Sequence, residues 1–146
     1  MYDERLGVPL RWWALATMFL ASMLLAFLVA TPLWVAATGT AVLGLGLLGL
    51  FLGYGAARIS VSDGVLTAGR ARIALEHVGE VQALGAEDTH RLAGRDADAR
   101  AYLLLRPYLR RAVRVAIDDP ADPTPYWLLS TRRPERLAAA LTRPPG

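Results

Sequence analysis

Two hydrophobic patterns divide the chain near residue 57. From Trp12 to Ala57 it runs 46 residues without one Asp, Glu, Lys, Arg or His. A single helix of that length, rising about 1.5 Å per residue, would span about 69 Å, more than twice a hydrocarbon core of about 30 Å. The run must therefore fold back. Ala30-Thr31-Pro32 marks the place, because proline pushes the residue before it out of the helical region and is tolerated in the first turn of the next helix. Two spans are predicted, 12–30 and 33–54, with eight and ten Leu, Val or Phe residues. Each such residue favours insertion by about 0.3 to 0.6 kcal/mol. The chain thus reads as a transmembrane helical hairpin over 1–57 and a β-rich domain over 58–146.

After Arg58 the period switches from helical to alternating. Ile59 and Val61 alternate with Ser60 and Ser62, and Asp63-Gly64 is a strong hairpin signal that returns the chain through Val65 to Ala68. A second turn at Gly69 leads into 70–75, where Ala71, Ile73 and Leu75 share one face, and 78–84 reads as another strand. Ala86 to Ala93 is acidic at its start and closed by Gly94, which suits a short helix. Residues 102–106, stopped by Pro107, are expected to form a hairpin with 112–117, where Val113, Val115 and Ile117 oppose Ala112, Arg114 and Ala116. Beyond an aspartate- and proline-rich loop over 118–125, residues 126–131 are strand-like. A helix over 134–141 has Pro134 in its first turn and Leu137 and Leu141 one turn apart. The expected class is an α+β membrane protein, in which an antiparallel barrel or roll of about seven strands is closed by a C-terminal helix. That order is similar to the pleckstrin-homology-like (PH-like) fold, which hosts lipid-binding, peptide-binding and purely structural roles.

Charge sets the expected orientation. All sixteen basic residues are arginine, against thirteen acids, for a formal charge of +3. Arg5, Arg11, Arg58, Arg70 and Arg72 flank the outer ends of the hairpin and its turn has no basic residue, so both termini are expected in the cytoplasm. Trp12, Trp13 and Tyr54 at one depth and Trp34 at the other fit two interfacial belts. A cleaved secretory signal is not expected, because the first apolar run is too long and a second span follows at once. The protein is read as integral to the cytoplasmic membrane. With no cysteine, disulfides and thiolate metal sites are excluded.

In the second span Gly39, Val42, Gly46, Gly49 and Gly53 recur on a heptad stripe, and close backbone approach across small residues is what holds helices together in lipid. Packing against the first span is the favoured expectation, since the turn is short; a second copy of the chain is the alternative partner. Gly44, Gly46 and Gly49 also spell the G-x-G-x-x-G dinucleotide pattern. That fingerprint works only as a turn between strand and helix, so inside an apolar span it carries no nucleotide.

Chemistry is sparse in the remainder. His77 and His90 lack the cysteine or helix-spaced partners of a zinc site, and Asp118, Asp119 and Asp122 miss the calcium-loop spacing. No nucleophile elbow, phosphate loop or intramembrane charge is present, so no catalytic residue, metal or cofactor is assigned. Nucleic acid is not expected, because eleven acids accompany the fourteen arginines from residue 58 on. The arginines are the better lead. Arg106, Arg110, Arg111 and Arg114 gather around one expected hairpin and Arg132, Arg133 and Arg136 around the start of the last helix. These seven are the candidate contacts for a lipid head group or a partner.

The runs Val61-Ser-Asp-Gly64, Ala68-Gly-Arg-Ala-Arg72, Arg106-Pro-Tyr108, Val113-Arg-Val115, Asp119-Pro-Ala-Asp-Pro-Thr-Pro-Tyr-Trp127 and Ser130-Thr-Arg-Arg-Pro-Glu135 carry a resemblance. Together with the Tyr2 to Leu6 lead-in and the paired tryptophans, they resemble a family of small actinobacterial membrane proteins classed as domain of unknown function 3093. The resemblance implies a two-span protein with a cytoplasmic domain, and no activity. The function expected is a non-enzymatic, membrane-anchored module that presents the β domain to another protein. Sensing of an anionic lipid surface is the alternative, and an enzyme with an unfamiliar site the second.

Overall fold

A computed structural model describes residues 1–142. Contacts divide the chain into an apolar unit, Gly7–Ala56, and a second unit made of Met1–Leu6 with the chain from Ala57 on.

The apolar unit is two helices, α1 (Leu10–Ala30) and α2 (Leu33–Gly55), each long and apolar enough to cross a membrane. Thr31 and Pro32 break them apart. Thr31 donates its N–H and its hydroxyl to Phe27 O at 2.7 and 2.8 Å, and the N–H groups of Val35 and Ala36 start the next helix on Pro32 O. Apart from Met1 and Leu103, every exposed large apolar side chain among the described residues lies between Leu10 and Tyr54. The hydroxyls of Thr17, Ser22 and Thr38 donate to the carbonyls of Trp13, Met18 and Trp34 four residues back, which satisfies them without water.

The helices meet at a few residues of α2. Ala36 is fully buried, a Cβ on Gly39 would touch the Phe27 ring at 3.4 Å, one on Gly44 would touch Leu20 at 3.6 Å, and Phe51 packs edge-on to Trp13 with centroids 4.9 Å apart. This corrects the expected glycine stripe. Gly39 packs against α1, but a Cβ on Gly46, Gly49 or Gly53 would meet nothing within 4 Å.

The second unit holds eight strands in two four-stranded sheets, with no closed barrel among the described residues. The eighth strand, absent from the expected seven, is β1 (Tyr2–Arg5), which precedes the hairpin and pairs antiparallel with β2 (Arg58–Ser62), the strand that follows it. Leu6 N–H continues that ladder to Ala57 O at 2.9 Å. The sheet runs on through β3 (Val65–Ala68) to β4 (Ala71–Ala74), in the order β1-β2-β3-β4. Asp63 and Gly64 take φ of 51° and 73°, the left-handed pair that a two-residue hairpin turn needs.

The second sheet has the order β5-β7-β8-β6, from β5 (Val78–Leu84), β6 (Tyr102–Leu104), β7 (Ala112–Ile117) and β8 (Tyr126–Ser130). Here a second correction arises. β6 does not form a hairpin with β7; it pairs in parallel with β8, while β7 lies between β5 and β8. Pro107 cannot extend the strand, and the turn from Arg106 to Leu109, closed by a 2.9 Å hydrogen bond, begins a connection that crosses the end of β8 instead of reversing tightly.

One apolar core joins the two sheets. It contains Ile59, Val61, Leu66 and Ile73 from the first, Val113, Val115, Trp127 and Leu129 from the second, and Leu137 and Leu141 from α4 (Pro134–Thr142). On its other face the second sheet carries a smaller cluster of Leu84, Ala112, Tyr126 and Leu128, against which Leu92 and Ala93 of α3 (Ala86–Ala93) pack. The architecture is therefore α+β, as the alternation of residues predicts.

Candidate functional site

The chain leaves the sheet unit after Leu6 and returns at Ala57, and arginines from separate segments gather at that pole. Arg5 and Arg58 are direct cross-strand partners. Gly69 N–H donates to Arg58 O at 2.9 Å, which places the Gly69-Arg70 turn beside them; Gly69 sits at φ 63°, a conformation that strains any larger residue, and an added Cβ would press on Tyr102 and Leu104 at 3.3 and 3.4 Å. The 105–111 connection reaches the same place. Buried Tyr108 donates its hydroxyl to Leu6 O at 2.6 Å, fixing the loop that carries Arg106, Arg110 and Arg111. Arg132 donates to Arg5 O at 3.0 Å and Arg111 to Arg132 O at 2.9 Å. Six of the expected contacts fall at or next to this pole, since Arg133 and Arg136 stand exposed where α4 begins.

Like charges opposed across strands repel, and three carboxylates offset part of that cost. Asp3 binds the Arg58 guanidinium, a contact that holds the Asp3 carboxyl below its ordinary range. Glu135 lies 4.0 Å from Arg111. Glu4, 11% exposed, accepts from the Tyr2 hydroxyl at 2.6 Å, from the Thr131 hydroxyl, and from Arg132 N–H at 3.0 Å, with the Arg132 guanidinium at 3.8 Å. Burial, and then the Glu4 acceptor, push the Tyr2 phenol up to about 12. Thr131 in turn accepts from Arg133 N–H at 3.0 Å, so one carboxylate ties β1 to the first turn of α4. No salt bridge among the described residues holds Arg5, Arg70 or Arg110, and all three are exposed. What this pole can do is attract anions without binding one deeply.

Arg114 is elsewhere. It stands on the outer face of β7, with its guanidinium 4.9 Å from the centre of the Tyr126 ring, so the expected group of four around one hairpin is split. Arg11 and Trp34 are exposed on the two helices, and Tyr54 is 41% exposed at the end of α2. Trp12 and Trp13 are half-buried against Phe51, so they pack the hairpin as well as marking its end. The aspartates of the 118–125 loop shape turns: Asp119 and Asp122 carboxylates accept from Ala121 and Thr124 N–H, both at 2.9 Å. His77 closes the short 3-10 turn after β4, whereas His90 is on α3.

Sequence reasoning missed Glu4, Asp3 and Thr131. Tyr2-Asp3-Glu4-Arg5 has no apolar alternation, and its polar inward face shows only once Thr131 and Arg132 lie beside it. The family model described as protein of unknown function, DUF3093, matches residues 1–141. No curated protein and no solved structure matches the chain.

Proposed function

Because the chain belongs to the DUF3093 family, whose description names no activity, we propose its function from its own geometry: a two-span membrane anchor carrying an interaction module that performs no chemistry. The hairpin crosses the cytoplasmic membrane with both termini inside, and the sheet unit is a PH-like roll. That α1 buries no residue and α2 only Ala36 and Phe51 supports the membrane crossing, since a core helix of a soluble protein would be mostly buried. Two sheets around one core with α4 closing it support the roll. The hydrogen bond between Leu6 N–H and Ala57 O, where the chain leaves and re-enters the sheet unit, supports placing both termini on the same side of the membrane.

The observation that carries the reading is the arginine pole. Cationic side chains with no carboxylate stand where the chain passes to and from the hairpin, and each basic group near an anionic leaflet contributes about 1 kcal/mol. A direct tether raises the effective concentration of lipid, so weak attraction suffices to hold the module against the head groups. Its remaining surface is then turned to intracellular partners. Hydrogen exchange of the full chain in nanodiscs tests this. Amides of the 105–111 connection and the Gly69-Arg70 turn should exchange more slowly with about 30% anionic lipid than with zwitterionic lipid alone, and the difference should shrink at high salt. Indifference to both lipid charge and salt would remove the head-group role.

A further inference from the structure

Arg114 belongs to a separate arrangement, and nothing in the head-group reading bears on it. Val113 and Val115 enter the main core, so Arg114 projects from the opposite face of the sheet, with Gln82 directly across from it on β5 and Leu128 on β8. Between this face and α3 lies an open cleft of about 370 Å³, to which Gln82, Leu84 and Arg114 contribute from the strands and Asp88, Arg91 and Leu92 from the helix. Asp96 completes its rim. The charges do not cancel throughout. Asp88 is bound to Arg91, and Asp96 lies 3.6 Å from Arg95. For Arg114 no carboxylate of the described residues lies within 4.0 Å. Arg114 is half-buried, with its guanidinium 4.9 Å from the centre of the Tyr126 ring, and a guanidinium fork suits a two-oxygen anion.

We propose that this cleft binds a monoanionic carboxylate bearing a short apolar chain. The two oxygens sit on the Arg114 fork, the Gln82 amide donates beside them, and the chain lies over Leu84 and Leu92. Inorganic phosphate is disfavoured because it has no apolar chain to lay against Leu84 and Leu92. The carboxylate can come from a free fatty acid or from the C-terminus of a polypeptide with an apolar last residue.

Gln82 is the only Gln in the chain and there is no Asn, so its side-chain NH2 gives one unambiguous pair of resonances. The experiment titrates the isotope-labelled full chain, in zwitterionic nanodiscs, with hexanoate, with acetyl-Gly-Gly-Leu, and with the neutral amide of each. The expected result is a saturating shift of the Gln82 pair by at least one of the acids, with its amide at least tenfold weaker. Hexanoate alone identifies a lipid-derived ligand, the peptide alone a chain terminus, and both the carboxylate itself. Arg114→Met should abolish the shift and Arg114→Lys should retain part of it. No shift by either acid, amides that bind as well as the acids, phosphate that binds more tightly than hexanoate, or an Arg114→Met chain that binds unchanged would overturn the proposal. The comparison of acid with amide needs no variant, so it stands even if Arg114→Met disturbs the fold.

Discussion

Replacing Glu4 with alanine removes the acceptor that joins the first strand to the start of the last helix. The carboxylate is 11% exposed and takes three hydrogen bonds, from Tyr2, Thr131 and Arg132 N–H, with the Arg132 guanidinium 3.8 Å away. A hydrogen bond to a charged group contributes about 1.5 to 3 kcal/mol, and a buried donor left without a partner costs about 1 to 3 kcal/mol. Two of the donors rescue each other, since the Tyr2 and Thr131 hydroxyls are already 3.1 Å apart, and water reaches Arg132. The net cost is therefore about 2 to 4 kcal/mol, less than the sum of the separate bonds. It should appear locally, as loss of protection for Leu6 N–H, whose bond to Ala57 O continues the β1–β2 ladder. At about 1.4 kcal/mol per tenfold, exchange of that amide should accelerate by roughly 30- to 700-fold. Hydrogen exchange of the full chain in nanodiscs measures it, with Glu4→Gln expected to fall between wild type and Glu4→Ala. A double-mutant cycle with Thr131→Val should show coupling of about 1 kcal/mol or more. An acceleration below about threefold would mean that β1 is held by its ladder alone, and that Glu4 clasps nothing.

Two further outcomes concern Tyr2 and the hairpin. The Tyr2 phenol is raised to about 12 by burial and by Glu4, above the 10.0 of an unperturbed tyrosine. The folded state therefore prefers the protonated form, and its stabilising effect is complete below pH 10 and lost as pH rises toward about 12. Alkaline melting of wild type and Tyr2→Phe should converge over that window, and parallel curves would refute the assignment. In the hairpin, Gly39→Leu should disrupt α1–α2 packing because Phe27 stands 3.4 Å from the added Cβ, whereas Gly49→Leu leaves that packing intact. Intramolecular cross-linking of the two helices reads both, and equal effects at the two glycines would contradict the observed packing.

How far the residues alone reveal this structure depends on what each signal reports. The uncharged run and Pro32 locate both helices within two residues, because length and hydropathy are properties of the chain itself. Asp63-Gly64, and the alternation of Val113, Val115 and Ile117, are equally local and equally legible. What sequence did not reveal is non-local. β1 is recognisable only through pairing with β2 some 55 residues later, and β6 takes β8 as its partner because a seven-residue connection crosses over, not because of its own composition. The glycine stripe holds only in part: heptad spacing groups Gly39 with Gly46, Gly49 and Gly53, but of these only Gly39 has a side chain of the other helix within reach of an added Cβ. For the arginines, proximity in sequence was a fair guide to the pole and a poor one for Arg114, since neighbours on a strand point to opposite sides of a sheet.

The central claim is that an apolar hairpin crosses the membrane and returns both of its ends to one side. The chain has no cysteine, so single replacements report without background. Labelling of Thr31→Cys, Asp63→Cys and Ala99→Cys in intact cells with a membrane-impermeant maleimide measures it most directly. Reaction of Thr31→Cys from outside, with the other two protected until the membrane is opened, is the predicted result. Labelling of Asp63→Cys or Ala99→Cys in sealed cells, or recovery of the chain in the aqueous fraction, would contradict it.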